Sequence, residues 1–174
     1  VFYVNRGDLA TAEAAYREAL RLNPQLMPAY MNLADLLRSQ QKDDDARKLL
    51  LQARQIAPRS GAVLHALGLL ETRSGESTKA LAYLREAAEL ETVGTRHRYV
   101  YAIALHDLGQ PREAVVQLQA LLRKAPKDPN VLLALANYSA ELGQRDKALG
   151  YARTLTELAP RNQAYRQLYQ QLSR

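Results

Sequence analysis

Three histidines, His65, His97 and His106, are the side chains in this 174-residue sequence best suited to chemistry near neutral pH, as bases, proton carriers or metal ligands. Their spacing assembles no such site. None has a second histidine or a carboxylate at ligand spacing along one helix, and although Asp107 adjoins His106, consecutive residues on a helix point in different directions. A Ser–His–Asp arrangement lacks any nucleophile-elbow signature. The glycines stand singly, so no phosphate-cradling loop is present. Cysteine is absent, which removes disulfides, iron–sulfur ligation, thiol nucleophiles and haem attachment from this stretch. The residues therefore predict no catalysis, no cofactor and no metal site.

What orders these side chains is a period of 34. Pro24, Pro58, Pro126 and Pro160 lie on it, with Thr92 on the middle rung, and Ala12, Ala46, Ala80, Ala114 and Ala148 follow it without a gap. A third ladder reads Gly7, Gln41, Gly75, Gly109 and Gly143. Self-similarity at this length marks an all-α solenoid of stacked supersecondary units. Tyr30, Leu33, Ala34 and Leu37 have the i, i+3, i+4, i+7 spacing of one helical face, and Ala80, Leu84, Ala87 and Ala88 give the matching stripe of a second helix. Each unit thus reads as two helices. A glycine closes the first helix, Asp8, Asp43 or Asp146 opens the second, and a proline follows it. The Thr92, Val93, Gly94 link should be looser. The expected organisation is one array over 1–174: a truncated repeat at 1–26, full repeats at 27–60, 61–94, 95–128 and 129–161, and a capping helix or partial sixth repeat at 162–174. That last segment sets Tyr165, Leu168, Tyr169 and Leu172 on one face. Opening at Val1 inside a first helix, the chain is expected to be part of a longer protein, and the face of residues 8–22 left by the missing helix invites self-association.

The ladders resemble the tetratricopeptide repeat, whose pattern runs W-x2-L-G-x2-Y, A-x3-F, P. Repeat two matches with Tyr30, Leu33, Ala34, Leu37, Ala46, Leu50 and Pro58; no Trp fills the first slot, and Glu71, Arg98, Ser139 and Ala152 depart from the apolar pattern. The resemblance implies a right-handed superhelical α-solenoid whose first helices line a concave groove that binds a peptide or partner protein. Carried over position by position, it implies groove residues Met31, Asp35, Arg38 and Ser39, then His65, Leu69, Thr72 and Arg73. It further implies Arg96, Tyr99, Ile103 and His106, then Asn130, Leu133, Asn137 and Glu141, with Tyr99, Arg96 and Arg73 as the anchor cluster. The alternative for Leu69, Ile103 and Leu133 is packing between neighbouring first helices. A carboxylate clamp of the co-chaperone type would find its Asn at Asn137, but Leu133 stands where its Lys belongs. The runs RYVYAIALHDLG (98–109) and AEAAYREALRLNP (12–24) are also similar to C-terminal repeats of bacterial multihaem cytochrome c-type proteins, which would make the chain an accessory domain of a redox protein.

Composition is that of a soluble folded chain, 47% apolar and 24% charged, and no apolar run approaches the about 18 residues of a membrane span. The net charge of +6 is uneven, negative over 61–94 and positive over 95–174. With aromatics at 6% this argues for a solvated surface and against a nucleic-acid groove. A bacterial periplasm and a cytoplasm both stay open as compartments. The alanine ladder yields the first prediction: Ala114→Leu forces three carbons into a helix crossing and should lower unfolding free energy by about 1–3 kcal/mol in a denaturant titration. An unchanged midpoint would mean that the ladder does not mark the crossing.

Overall fold

The computed structural model describes residues 9–90 and 95–174, and ten α-helices with short connections account for them; there is no strand among the described residues. Tyr3, Gly7 and Asp8, and the Thr92, Val93, Gly94 link, lie outside the described residues. Two compact units are present, residues 1–90 and 91–174. The first contains α1 (Leu9–Leu22), α2 (Met27–Ser39), α3 (Asp43–Ile56), α4 (Gly61–Arg73) and α5 (Ser77–Leu90). The second contains α6 (Arg96–Asp107), α7 (Pro111–Lys124), α8 (Pro129–Glu141), α9 (Arg145–Leu158) and α10 (Gln163–Ser173).

Local chemistry explains where these helices start and stop. Ser60, Asp128 and Asn162 are N-caps whose side-chain oxygens accept from backbone N–H groups of the first turn of α4, α8 and α10. Pro111 and Pro129 take the first helical position, where a missing N–H costs nothing. Asp43, Asp44 and Asp45 put three carboxylates at the positive end of the α3 dipole. First helices end in a Schellman turn: Gly75 N–H donates to the Thr72 carbonyl at 3.1 Å and Glu76 N–H to the Glu71 carbonyl at 2.9 Å. The turn needs a left-handed residue, and Gly75, Gly109 and Gly143 supply it with φ of 76°, 79° and 71°. Gln41 adopts the same conformation at φ 61°, so the position dictates the geometry even where glycine is missing.

Packing follows the small residues. Ala46, Ala80, Ala114 and Ala148 are fully enclosed and Ala12 nearly so, each where a second helix meets its neighbours. The first helices carry small residues of their own at Ala34, Gly68, Ala102 and Ala136, also buried. At Gly68 the approach is so close that an added Cβ would stand 2.5 Å from Leu84 Cγ. Around these contacts unit 1 buries Leu33, Leu37, Leu50, Leu67 and Leu70 in one cluster, and unit 2 buries Leu118, Leu121, Leu132, Leu135 and Leu155.

Three of the four pattern departures also occur inside this packing. Glu71 is 3% exposed, and its carboxylate accepts from Arg47 of α3 at 2.8 Å; Arg47 also donates to Asp44 and Ser74. Ala152 is fully buried, and Ser139 is enclosed with a hydroxyl that has no hydrogen-bond partner among the described residues. Arg98, half-exposed on α6, donates to Gln117 of α7 at 2.9 Å. The Glu71 pair gives a test with two arms. Arg47→Met should cost about 3 kcal/mol, because it strands a buried carboxylate, whereas Glu71→Leu, the residue type at Leu37 and Leu105 one repeat away, should be neutral or stabilising. Equal losses from both changes in chemical denaturation would show that the pair itself holds α3 to α4.

Candidate functional site

The groove residues expected from the sequence fall into two sets, one in each unit. In unit 1 the charged groups on the face of α2 and α4 pair with one another and with Asp43 of α3, although Arg38 Nε and Asp43 Oδ1 are buried without a hydrogen-bond partner among the described residues. Met31 packs against the core cluster, and Asp35 pairs with Arg38 at 3.1 Å. Arg73 places its Nε 3.2 Å from Asp43 Oδ2 and donates through Nη1 to the Arg38 carbonyl. Thr72 returns its hydroxyl to the Gly68 carbonyl, Ser39 returns its own to Leu36, and His65 and Leu69 are half-buried. The cations of this face are committed to internal partners, Arg73 among them.

Unit 2 is different. Along α6, Arg96, Tyr99, Ile103 and His106 recur at three and four residues, and along α8 so do Asn130, Leu133, Asn137 and Glu141, so each set occupies one face of its helix. His106 ties the two helices together. Its ring stacks on Tyr138 with centroids 3.7 Å apart and planes 2° from parallel, and its Nε2 lies 2.6 Å from Glu141 Oε2. Asp107 Oδ1 comes within 3.3 Å of His106 Nδ1. The expectation that these two neighbours point apart is therefore corrected: Asp107 is the last residue of α6, where its carboxylate is free to turn back toward the ring. Both ring nitrogens face carboxylates, an arrangement that favours the imidazolium, which can donate to both.

The electrostatics agree. Burial disfavours charge on His106, but the hydrogen bonds and charges of Glu141 and Asp107 outweigh it and hold the pKa above its ordinary value. Tyr138 is pushed up to about 12 by burial, with the charges of Asp107, Tyr99 and Glu141 adding to it, so its phenol stays neutral. Tyr99 is raised by burial and by the charge of Asp128, the α8 N-cap. On these same helix faces Ile103 and Leu133 are half-buried, while Arg96 and Asn137 are exposed. Tyr138 was not among the expected residues. Its slot holds Leu36, Leu70 and Ala104 in the other full repeats, and an aromatic among those aliphatics was the available signal. Among the described residues no group of three His, Asp or Glu could hold a metal ion, and no helix is long and apolar enough to cross a membrane.

Comparison with known proteins bears on this geometry. The tetratricopeptide repeat family model matches residues 3–70 and 105–172, and a second model of the same repeat matches 65–129. Anaphase-promoting complex subunit 3 of Schizosaccharomyces pombe is 24% identical over 138 residues, 79% of this chain and 21% of its own length. Cellulose synthase 2 operon protein C of Komagataeibacter xylinus is 26% identical over 90% of this chain and 13% of its own. The chain thus spans a small part of both relatives. Among solved structures, YrrB, described as a TPR protein with an unusual peptide-binding site, superposes with a TM-score of 0.74 at 21% identity, covering 97% of this chain and 87% of that one.

The His106 arrangement makes stability depend on pH. A folded-state pKa raised above the unfolded value stabilises fully below about 6.5, and that contribution is lost as pH rises through the folded value. Between about pH 6 and 8.5 the melting temperature of the unaltered chain should fall more than that of His106→Gln. Parallel profiles would mean that the ring is not charged in the fold.

Proposed function

We propose that this chain, which belongs to the tetratricopeptide repeat family, works as a non-catalytic scaffold that holds a peptide segment of a partner protein along α6 and α8. One observation carries this reading. The His106 ring is held by its stack on the buried Tyr138 and by Glu141, and one turn before Glu141 on the same face of α8 stands an exposed Asn137 amide that has no internal partner among the described residues. An amide of this kind can donate to and accept from a peptide backbone at once. Tyr99, Ile103 and Leu133 would take an apolar side chain, and Arg96 a carboxylate at the peptide's end. Ordering these groups before the ligand arrives lowers the entropic cost of binding. YrrB has a peptide-binding site and subunit 3 belongs to a complex, and both support the same class of function.

The other readings have less behind them. The comparisons lend no support to the multihaem cytochrome likeness or to the redox accessory role that rests on it. In α1, Tyr16 and Leu20 already pack on the core, which leaves Leu9 and Leu22 as its exposed large apolar side chains, a small basis for self-association.

Selection of peptides from a random display library on the unaltered chain tests the proposal. Peptides so obtained should lose about 2 kcal/mol or more of binding on Tyr99→Ala, as for an interface hot spot, and should weaken on Asn137→Ala with helical content intact. Peptides indifferent to both, but sensitive to Lys79→Ala or Arg85→Ala on α5, would contradict it.

A further inference from the structure

A cleft of about 660 Å³ opens on another face of unit 2, between the second helices α7 and α9. Its walls are Leu122, Pro126, Leu132 and Tyr151, and Gly150 leaves its floor open, since an added Cβ there meets nothing within 4 Å. The repeat supplies an internal control. Two 34-residue steps back, Leu122, Gly150, Tyr151 and Thr154 become Arg54, Ala82, Tyr83 and Glu86. In unit 1 that place is plugged: the Arg54 guanidinium sits 5.1 Å from the centre of the Tyr83 ring and donates to Glu86 at 3.0 Å. In unit 2 both members of the plug are gone and the tyrosine ring faces the cleft, its hydroxyl accepting from Gln119 at 3.4 Å.

The rim determines what could take the plug's place. Arg123 and Lys147 border the cleft, and neither has a carboxylate partner among the described residues; Lys147 donates to Gln144. A cationic ligand would meet these two charges with no counterpart to Glu86, so the arginine of unit 1 is not the missing group. An uncharged ring stacked on Tyr151, with carboxylates beside it reaching Arg123 and Lys147, satisfies both the apolar walls and the rim. We infer that this cleft is a second docking site, for a partner segment carrying an aromatic side chain flanked by acidic residues. It is separate from the α6–α8 face and does not depend on that reading.

The probe is an acetylated, amidated peptide with one phenylalanine between two pairs of glutamates, titrated into the isotopically labelled chain by NMR. Amide shifts should move at Leu122, Gly150, Tyr151 and Thr154, and stay unchanged when Tyr99 is Ala. A peptide with lysines for glutamates, or alanine for phenylalanine, should bind at least tenfold more weakly. Rebuilding the plug with Leu122→Arg and Thr154→Glu should abolish the shifts. Gly150→Leu, which fills the cleft from its floor and favours the helix, should do the same if the double variant fails to fold. Equal binding of the lysine peptide, shifts confined to α6 and α8, or shifts that survive Gly150→Leu would overturn the inference.

Discussion

The close contact of small residues between paired helices is the constraint on which everything else rests. With a buried Ala on each second helix and a buried Ala or Gly on each full first helix, the backbones come near enough for leucines such as Leu84 to lie directly on the partner helix. At Gly68 and Leu84 there is no room for even one methyl group without movement. Interiors packed to this density tolerate little change in volume, so each crossing fixes the relative rotation of its two helices. That rotation decides which residues are core and which remain on the surface.

On the surface so defined, the two units differ in which groups they pair internally. Unit 1 closes its first-helix face with the Asp35–Arg38 and Asp43–Arg73 pairs and its second-helix face with Arg54 over Tyr83. Unit 2 leaves both kinds of face available: Asn137 is exposed on one, and Tyr151 is uncovered on the other. Because the units share a repeat, the contrast comes from a few substitutions in register rather than from a different fold. Exposed ion pairs of this sort contribute little to stability. Their effect here is to occupy groups that would otherwise meet a ligand.

Much of the scaffold was legible in the sequence because the scaffold is what repeats. The prolines stand two residues beyond the ends of α1, α3, α7 and α9, the alanines at the crossings, and Gly75, Gly109 and Gly143 at left-handed positions, with Gln41 obeying the same geometry. The site was less legible. His106 and Glu141 are one residue out of phase with the period, so no ladder connects them, and their contact depends on how α6 lies against α8. The turn of Asp107 back onto His106 depends on its place at a helix end, which spacing alone does not disclose. Nor does spacing show that Arg47 reaches Glu71, a partnership that makes an acidic residue acceptable in a leucine slot.

The helix crossings are the source of order, and burial falls away in the first and last described helices. Helix α10 buries no residue and α1 buries only Ala12 among its described residues, whereas α4 and α8 each bury seven. Native-state hydrogen exchange followed amide by amide measures this directly. Amides beside Gly68, Ala80, Ala136 and Ala148 should exchange only when their whole unit opens, while α10 exchanges through local fraying at far lower cost. Protection in α10 equal to that in α8, or fast local exchange beside Ala136 and Ala148, would contradict the primacy of the crossings.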